Sequence, residues 1–203
     1  MKNINCIMKW IVEKIDRDSD NVQINFNDES WRKNIPTGAG WYRIITNTPI
    51  CKLCSVGPPK TENKKHINIP ETINSSSELL KHRIAIRQHG KECYVVYNGE
   101  AKDLRARARE HENGSGGTSC LGLSNYESLH DHGWVFSYLP VSECKKVLDQ
   151  VQDDKLLRVA VEQDLPVSEC KKVLDQVQDD KLLRVAVEQG WRVFNGWPIL
   201  CRK

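Results

Sequence analysis

The fold is decided by residues 94–111, which have the sequence YVVYNGEAKDLRARAREH. Their first part is aromatic and β-branched, which is typical of a strand, and we place that strand at residues 92–97. Gly99 interrupts the pattern. Asp103 is suited to cap a helix that begins near Leu104. The stretch therefore predicts a strand followed directly by a helix.

Two side chains on the predicted helix, Arg107 and His111, are one turn apart and share a face. Tyr97 precedes them at the end of the predicted strand. The planar guanidinium of an arginine offers a fork of donors to phosphate oxygens. A tyrosine, an arginine and a histidine directed to one place are therefore suited to phosphate chemistry.

Further strand patterns occur at residues 40–46 and 133–139. Residues 47–80 are rich in Pro, Asn, Ser and Lys, which predicts a long loop or a partly disordered insertion. Residues 8–15 favour a helix, and we expect Trp31 to pack on the domain. With 203 residues, the chain is long enough for one domain with extensions.

The charge of the chain is unevenly distributed. Its formal net charge is +3, but residues 52–111 carry twelve Lys and Arg against seven Asp and Glu. Such an excess favours a polyanionic partner, and a solvated basic face explains it equally well. Charge alone therefore leaves both interpretations open.

Nothing in the sequence predicts a membrane protein or a secreted one. No apolar run is long enough to span a bilayer, and the first residues do not resemble a secretory signal. The eight cysteines have scattered spacings, which favours reduced thiols and a cytoplasmic location. Cys51 and Cys54 form a CxxC pair, for which zinc, redox chemistry and an incidental pairing remain open. We expect no small-molecule organic cofactor.

A flawless internal repeat lies near the C-terminus. Residues 139–163 have the sequence LPVSECKKVLDQVQDDKLLRVAVEQ, and they recur without change at residues 165–189. Natural repeats diverge, and solenoids usually need three or more units, so the pattern indicates a recent or deliberate duplication of one element. Each copy predicts two short helices, and Pro166 separates the copies.

These residues together resemble the GIY-YIG nuclease family. Residues 40–42 (Gly-Trp-Tyr) resemble the first tripeptide of its signature, and residues 97–99 (Tyr-Asn-Gly) resemble the second. The middle residue of each tripeptide differs from the family's isoleucine. Arg107 follows the second glycine by eight residues and His111 by four more, as on the family's helix. The resemblance covers roughly residues 38–195.

The resemblance implies an α+β fold, in which a small central antiparallel three-stranded sheet is flanked by helices. It implies a nuclease domain over residues 40–203, preceded by an N-terminal extension, residues 1–39, that packs on it. Two features depart from the family pattern. They are the insertion at residues 47–91 and the duplicated helical element at residues 139–189.

The resemblance also implies catalytic roles. Tyr42 would orient or deprotonate the attacking water, and Tyr97 would hydrogen-bond the scissile phosphate or support the base. Arg107 would stabilise charge on the phosphate, and His111 would assist proton transfer or hold the phosphate. The residues expected to contact neighbouring phosphates of DNA are Lys102, Arg105 and Arg109.

The family's metal-binding glutamate lies on a helix after the third strand, which here is the second helix of the duplicated element. The candidates are Glu188 and its counterpart Glu162. One carboxylate with substrate phosphate and water suits Mg²⁺ or another divalent cation such as Mn²⁺. We favour Glu188, because the tail after it packs natively onto copy two. A mixed arrangement, with the first helix of copy one and the second of copy two, also uses Glu188.

The resemblance therefore implies a divalent-metal-dependent endonuclease that hydrolyses DNA phosphodiester bonds. Two alternatives remain open. One is a catalytically inactive nucleic-acid-binding module of the same fold. The other is a chain engineered as a conformational switch, in which the duplicated helices compete for one position.

Overall fold

The computed structural model describes residues 2–61, 66–76, 86–87, 93–115, 119–153 and 167–201. They form an α+β fold in which an antiparallel sheet is flanked by helices, which confirms the expected class. The strands are β1 (Asp20–Gln23), β2 (Gly40–Thr46), β3 (Ile86–Arg87), β4 (Tyr94–Ala101) and β5 (Trp134–Pro140). The helices are α1 (Lys2–Arg17), α2 (Ile50–Ser55), α3 (Ile69–Ser76), α4 (Leu104–Asn113), α5 (Val141–Asp153), α6 (Val167–Asp179) and α7 (Lys181–Asn195).

The sheet is larger than the three strands expected from the sequence. Its order is β1-β5-β2-β4-β3, and every neighbouring pair is antiparallel. The three expected strands form its centre, and β1 and β3 add an edge on either side. β1 was missed because its sequence, DNVQ, has no apolar alternation, and β3 because it is only two residues long.

Strand β4 continues through Gly99 instead of ending at Tyr97 as predicted. Gly99 of β4 lies opposite Tyr42 of the neighbouring strand β2. A Cβ at Gly99 would overlap the Tyr42 phenol. A Cβ at Gly40 would lie 2.5 Å from the Leu139 carbonyl oxygen. Both glycines are therefore required for the close approach of neighbouring groups, and not for a turn.

Helix α4 forms as predicted from the sequence. It begins at Leu104, and the Asp103 side chain accepts a hydrogen bond of 2.8 Å from the amide of Ala106. Its C-cap is Gly114, whose φ of 75° places it in the left-handed region that favours glycine. Because β4 leads directly into the Asp103 cap, the helix has a fixed direction relative to the strand.

Two apolar clusters lie on opposite faces of the sheet. Successive side chains of β2 point to opposite faces, so the strand contributes to both clusters. Tyr42 and Ile44 join the cluster formed with α2, α3 and α4. Trp41 and Ile45 join the cluster formed with α1, α5, α6 and α7. The tyrosine of the first tripeptide and its tryptophan therefore face different layers of helices.

The segments outside the central strands are more ordered than the sequence indicated. The expected loop at residues 47–80 contains α2 and α3, whose residues Leu53, Ile69 and Ile73 are buried, so that prediction is wrong for these parts. Residues 62–65 and 77–80 lie outside the described residues. The predicted N-terminal helix is α1, and Trp31 is buried as expected.

Parts of both copies of the repeat pack in one layer. The first helices of the copies, α5 and α6, contribute Cys144 and Leu174 to the same cluster, so they do not exclude one another. The second helix of copy two is α7. The second helix of copy one and Pro166 lie outside the described residues. None of the described helices is long and apolar enough to cross a membrane.

Candidate active site

A cleft of about 480 Å³ opens beside the outer edge of β4, between α4 and α7. Within the described residues, β3 pairs only with Tyr94 and Val95 of β4, and the later part of the strand borders the cleft. Four of the five predicted catalytic residues line it. They are Tyr42, Tyr97, Arg107 and Glu188.

The phenol oxygen of Tyr42 is the centre of the hydrogen-bond network. It accepts a hydrogen bond of 2.9 Å from Nε of Arg107, and it lies 3.0 Å from Nε2 of His111. The Tyr97 ring stacks beside it, with a centroid separation of 6.1 Å. The first tripeptide, the second tripeptide and α4 are thus brought together around one atom.

The proton position on His111 follows from its other neighbour. The amide of Leu121, which can only donate, lies 3.2 Å from Nδ1 of His111. Burial, assisted by the nearby Arg107 charge, holds the pKa of His111 well below its usual value. The neutral ring therefore carries its proton on Nε2, and this N–H donates a hydrogen bond to the Tyr42 oxygen. His111 is fully buried and contacts the cleft through Tyr42, not directly.

The two tyrosines are neutral at ordinary pH. Burial raises the pKa of Tyr42 well above its usual value, the nearby Tyr97 adds to this rise, and Arg107 opposes it. Burial likewise raises the pKa of Tyr97. Two donors directed at the Tyr42 oxygen would nevertheless stabilise negative charge there.

Arg107 is anchored at all three of its guanidinium nitrogens. Besides Tyr42, it contacts Oε2 of Glu110 at 2.6 Å and the carbonyl oxygen of Ser119 at 2.6 Å. Burial lowers its pKa, but Tyr42, Tyr97 and Glu110 together outweigh that effect and the net shift is upward. The guanidinium is therefore charged at every relevant pH.

Glu188 reaches the cleft from α7, and a buried arginine holds it. Arg192, one turn further along α7, pairs with its carboxylate. Nε of Arg192 donates to Oδ1 of Asn98 at 2.7 Å, and Nη2 donates to the Asn98 carbonyl at 3.2 Å. Burial raises the pKa of Glu188, Arg192 opposes this, and the neighbouring Glu100 adds to it.

Sequence reasoning missed Arg192 and its partner Asn98. The signal was present, because the polar Asn98 directly follows the aromatic and β-branched run of residues 94–97 within β4. A buried amide needs a hydrogen-bond partner, and here the partner lies on α7. Trp41, the middle residue of the first tripeptide, donates from Nε1 to the Arg184 carbonyl of α7 at 3.1 Å. The middle residues of both tripeptides therefore hold the helix that carries Glu188.

Besides Glu110, two further charged residues of the cleft were not predicted. Glu100 follows the second tripeptide and pairs with Nε of Arg184 at 2.8 Å. Lys181, at the start of α7, lines the cleft and is exposed. The ion pair of Glu100 and the place of Lys181 in the cleft both depend on how α7 lies against β4. Spacing along the sequence does not indicate that packing.

The three predicted DNA-contacting residues do not all face the cleft. Lys102 is exposed and lines it. Arg105 and Arg109 are exposed but do not line it, because each is two residues from Arg107 and so points to a different face of the helix. Arg105 also donates to the carbonyls of Ile35 and Lys33, at 2.7 Å and 3.0 Å.

No group of three or more His, Cys, Asp or Glu side chains is placed to hold a metal ion within the described part of the chain. Cys51 is exposed and Cys54 half-buried on α2, and the zinc alternative gains no further ligands there. Glu188 is therefore the predicted metal ligand that the structure describes, since Glu162 lies outside the described residues.

Family models, curated proteins and solved structures offer no match to this chain. Function has to be inferred from the side chains that meet in the cleft.

Proposed function

We propose that this protein is a divalent-metal-dependent endonuclease that hydrolyses DNA phosphodiester bonds, with a centre of the GIY-YIG kind. The observation that carries the proposal is the Tyr42 oxygen, on which Arg107 and His111 converge at the wall of a polar cleft. Tyr97 and Glu188 line the same cleft. This set combines a hydroxyl, a permanent cation and a carboxylate, which are suited to activate a water and to stabilise charge during hydrolysis of a phosphodiester.

Tyr42 is suited to orient the attacking water, and it can accept a proton from that water as it passes its own hydroxyl proton to a phosphate oxygen in the cleft. Its oxygen already accepts hydrogen bonds from Arg107 and His111, so negative charge that develops on it is stabilised. In the neutral phenol, the hydroxyl hydrogen serves a water or a phosphate oxygen in the cleft. His111 is then a positioning residue, because it acts on the reaction through Tyr42.

Arg107 and Tyr97 are suited to the phosphate itself. The Arg107 guanidinium supplies a positive charge that pH does not remove, and such a charge stabilises the extra negative charge at phosphorus. The neutral hydroxyl of Tyr97 can donate a hydrogen bond to a phosphate oxygen. Lys102 and Lys181 are exposed at the same cleft and suit neighbouring phosphates of the DNA backbone.

Glu188 is the residue that would hold Mg²⁺ or Mn²⁺, with phosphate oxygens and water as the other ligands. The fit is chemical: a carboxylate is the oxygen donor that these ions prefer, and one or two carboxylates suffice for Mg²⁺. Burial and the neighbouring Glu100 both raise the pKa of Glu188, so a cation there would stabilise its ionised form. The bound ion would supply Lewis-acid stabilisation of the phosphate oxygens.

Cleavage of supercoiled plasmid in the presence of Mg²⁺ tests the proposal. The wild type is expected to produce nicked and linear DNA, and Arg107→Ala to lower the rate about a hundredfold or more. Arg109→Ala removes an arginine from an exposed face of the same helix and serves as the matched control, with a change of less than about threefold. A wild type that does not cut with Mg²⁺ or Mn²⁺ contradicts the proposal, and so do equal rates for the two variants.

One observation favours a second candidate, a DNA-binding module that does not cut. The carboxylate of Glu188 is already paired with the buried Arg192, which could take the place of a cation. In that case the same experiment gives a different result. The protein would retard DNA in a gel, Arg107→Ala would weaken the binding, and no divalent cation would produce cleavage.

A further inference from the structure

The Arg107 guanidinium is paired with a carboxylate of its own helix. Nη1 of Arg107 lies 2.6 Å from Oε2 of Glu110, which is one turn further along α4. Both residues line the cleft, and 11% and 23% of their side-chain surfaces are exposed. Glu110 therefore lies beside the guanidinium on the side that an anion in the cleft would approach.

The other two named contacts of this guanidinium are neutral. Nε donates to the Tyr42 oxygen, and Nη2 donates to the Ser119 carbonyl. They approach from β2 and from the chain after α4, so they hold the guanidinium from two directions. Among the three partners, the Glu110 carboxylate is the one that an incoming phosphate resembles in charge and geometry.

The Glu110 pair differs from the other two carboxylate pairs of the cleft. In the pairs Arg184–Glu100 and Arg192–Glu188 the carboxylate exposes 12% of its side chain, against 23% for Glu110. Glu110 is thus the carboxylate that water can solvate most readily when its arginine is taken by another anion.

We propose that Glu110 occupies the anion position of Arg107 as an internal substitute for a substrate phosphate, and that the substrate must displace it. This inference rests on the proposed function, because it takes Arg107 as the phosphate-binding residue. Displacement weakens every anion alike, and a polyanion regains affinity at the exposed Lys102 and Lys181. Glu110 therefore lowers the affinity of the Arg107 position for any anion, and a DNA backbone offsets that loss at the two lysines while an isolated phosphate does not.

Glu110→Gln tests the inference, because it removes the charge and keeps an oxygen that can accept from Arg107. Binding is measured with a short DNA duplex in Ca²⁺, and cleavage kinetics are measured in Mg²⁺. We expect Kd and KM to fall about three- to tenfold at low salt, with kcat unchanged, and the gain to shrink as salt increases. Inhibition by inorganic phosphate is expected to strengthen by at least the same factor.

The matched control is Glu71→Gln on α3, which makes the same charge change at an exposed residue outside the cleft lining. It is expected to change Kd and KM less than about twofold. Equal effects of the two substitutions would show a general charge effect and overturn the inference.

Glu110→Ala distinguishes a residue that competes with the substrate for Arg107 from a residue that orients Arg107. A fall in kcat at unchanged KM in Glu110→Ala would mean that Glu110 orients Arg107, and it would overturn the inference while the proposed function stands. Failure of the proposed function gives a different pattern. The wild type would not cleave, Arg107→Ala would bind the duplex as the wild type does, and the inference would fall with it.

Discussion

The two copies of the repeat have one sequence and different continuations. In copy two, the repeated residues end at residue 189 inside α7, and the helix continues to Asn195. In copy one, the same residues are followed by Asp164, Leu165 and Pro166. Proline disfavours a continuing helix, so the two copies cannot extend in the same way. The copies therefore differ in the residues that come after the repeated sequence.

Several contacts that hold α7 in place come from residues beyond the repeat. Trp191 and Asn195 donate to the two carboxylate oxygens of Asp16 on α1, at 2.8 Å and 3.1 Å. Arg192 donates to Asn98 of β4. At the positions of Trp191 and Arg192, copy one has leucine and proline. These contacts follow copy two in the sequence, and Glu188 of copy two lines the cleft.

Arg192→Gln is the substitution expected to weaken most strongly the contacts that distinguish copy two from copy one. It leaves the Glu188 carboxylate and the Asn98 amide oxygen without the guanidinium that now pairs with both. Loss of one partner of a buried ion pair costs about 3 kcal/mol. We expect the free energy of unfolding in urea to fall by that amount, together with the cleavage rate.

Arg109→Gln is the control, since Arg109 is exposed on α4 and the same change there should cost less than about 0.5 kcal/mol. Equal stabilities for Arg192→Gln and the wild type would contradict the importance of the tail contacts.

A smaller effect is expected at His111, which belongs to the part of the site outside the repeat and makes stability depend on pH. Burial holds the pKa of His111 well below its usual value in the folded protein. Below about pH 6.5 the unfolded chain therefore binds a proton that the folded protein does not, and stability falls as the pH is lowered. Between about pH 7.5 and about pH 5.5 the wild type should lose about 1 kcal/mol more than His111→Gln. Parallel stability curves for the two proteins would contradict the neutral, buried state of His111.

The local structure around the site was predictable because its signals are local. The β-branched run of β4 and the Asp103 cap lie within a few residues of the elements that they define. The resemblance to a known signature then predicted Tyr42, Tyr97 and Arg107 as neighbours. The structure brings these three side chains to one cleft.

The remaining features depend on contacts between distant parts of the chain. The polar strand β1 exists because β5 offers it an edge, and its own four residues carry no strand pattern. Asn98 and Arg192 are 94 positions apart, so their bond could not be derived from spacing. The position of Glu110 on α4 was visible in the sequence, but its pairing with Arg107 depended on the rotamers of both side chains.

The most direct test of the account compares Glu188→Ala with Glu162→Ala in the Mg²⁺-dependent cleavage of supercoiled plasmid. The two substitutions fall at identical positions of identical sequences, so each is the other's matched control. We predict that Glu188→Ala lowers the cleavage rate about a hundredfold or more, and that Glu162→Ala stays within about twofold of the wild type. Equal losses from both variants, or a loss from Glu162→Ala alone, would contradict the assignment of the copy-two glutamate to the site.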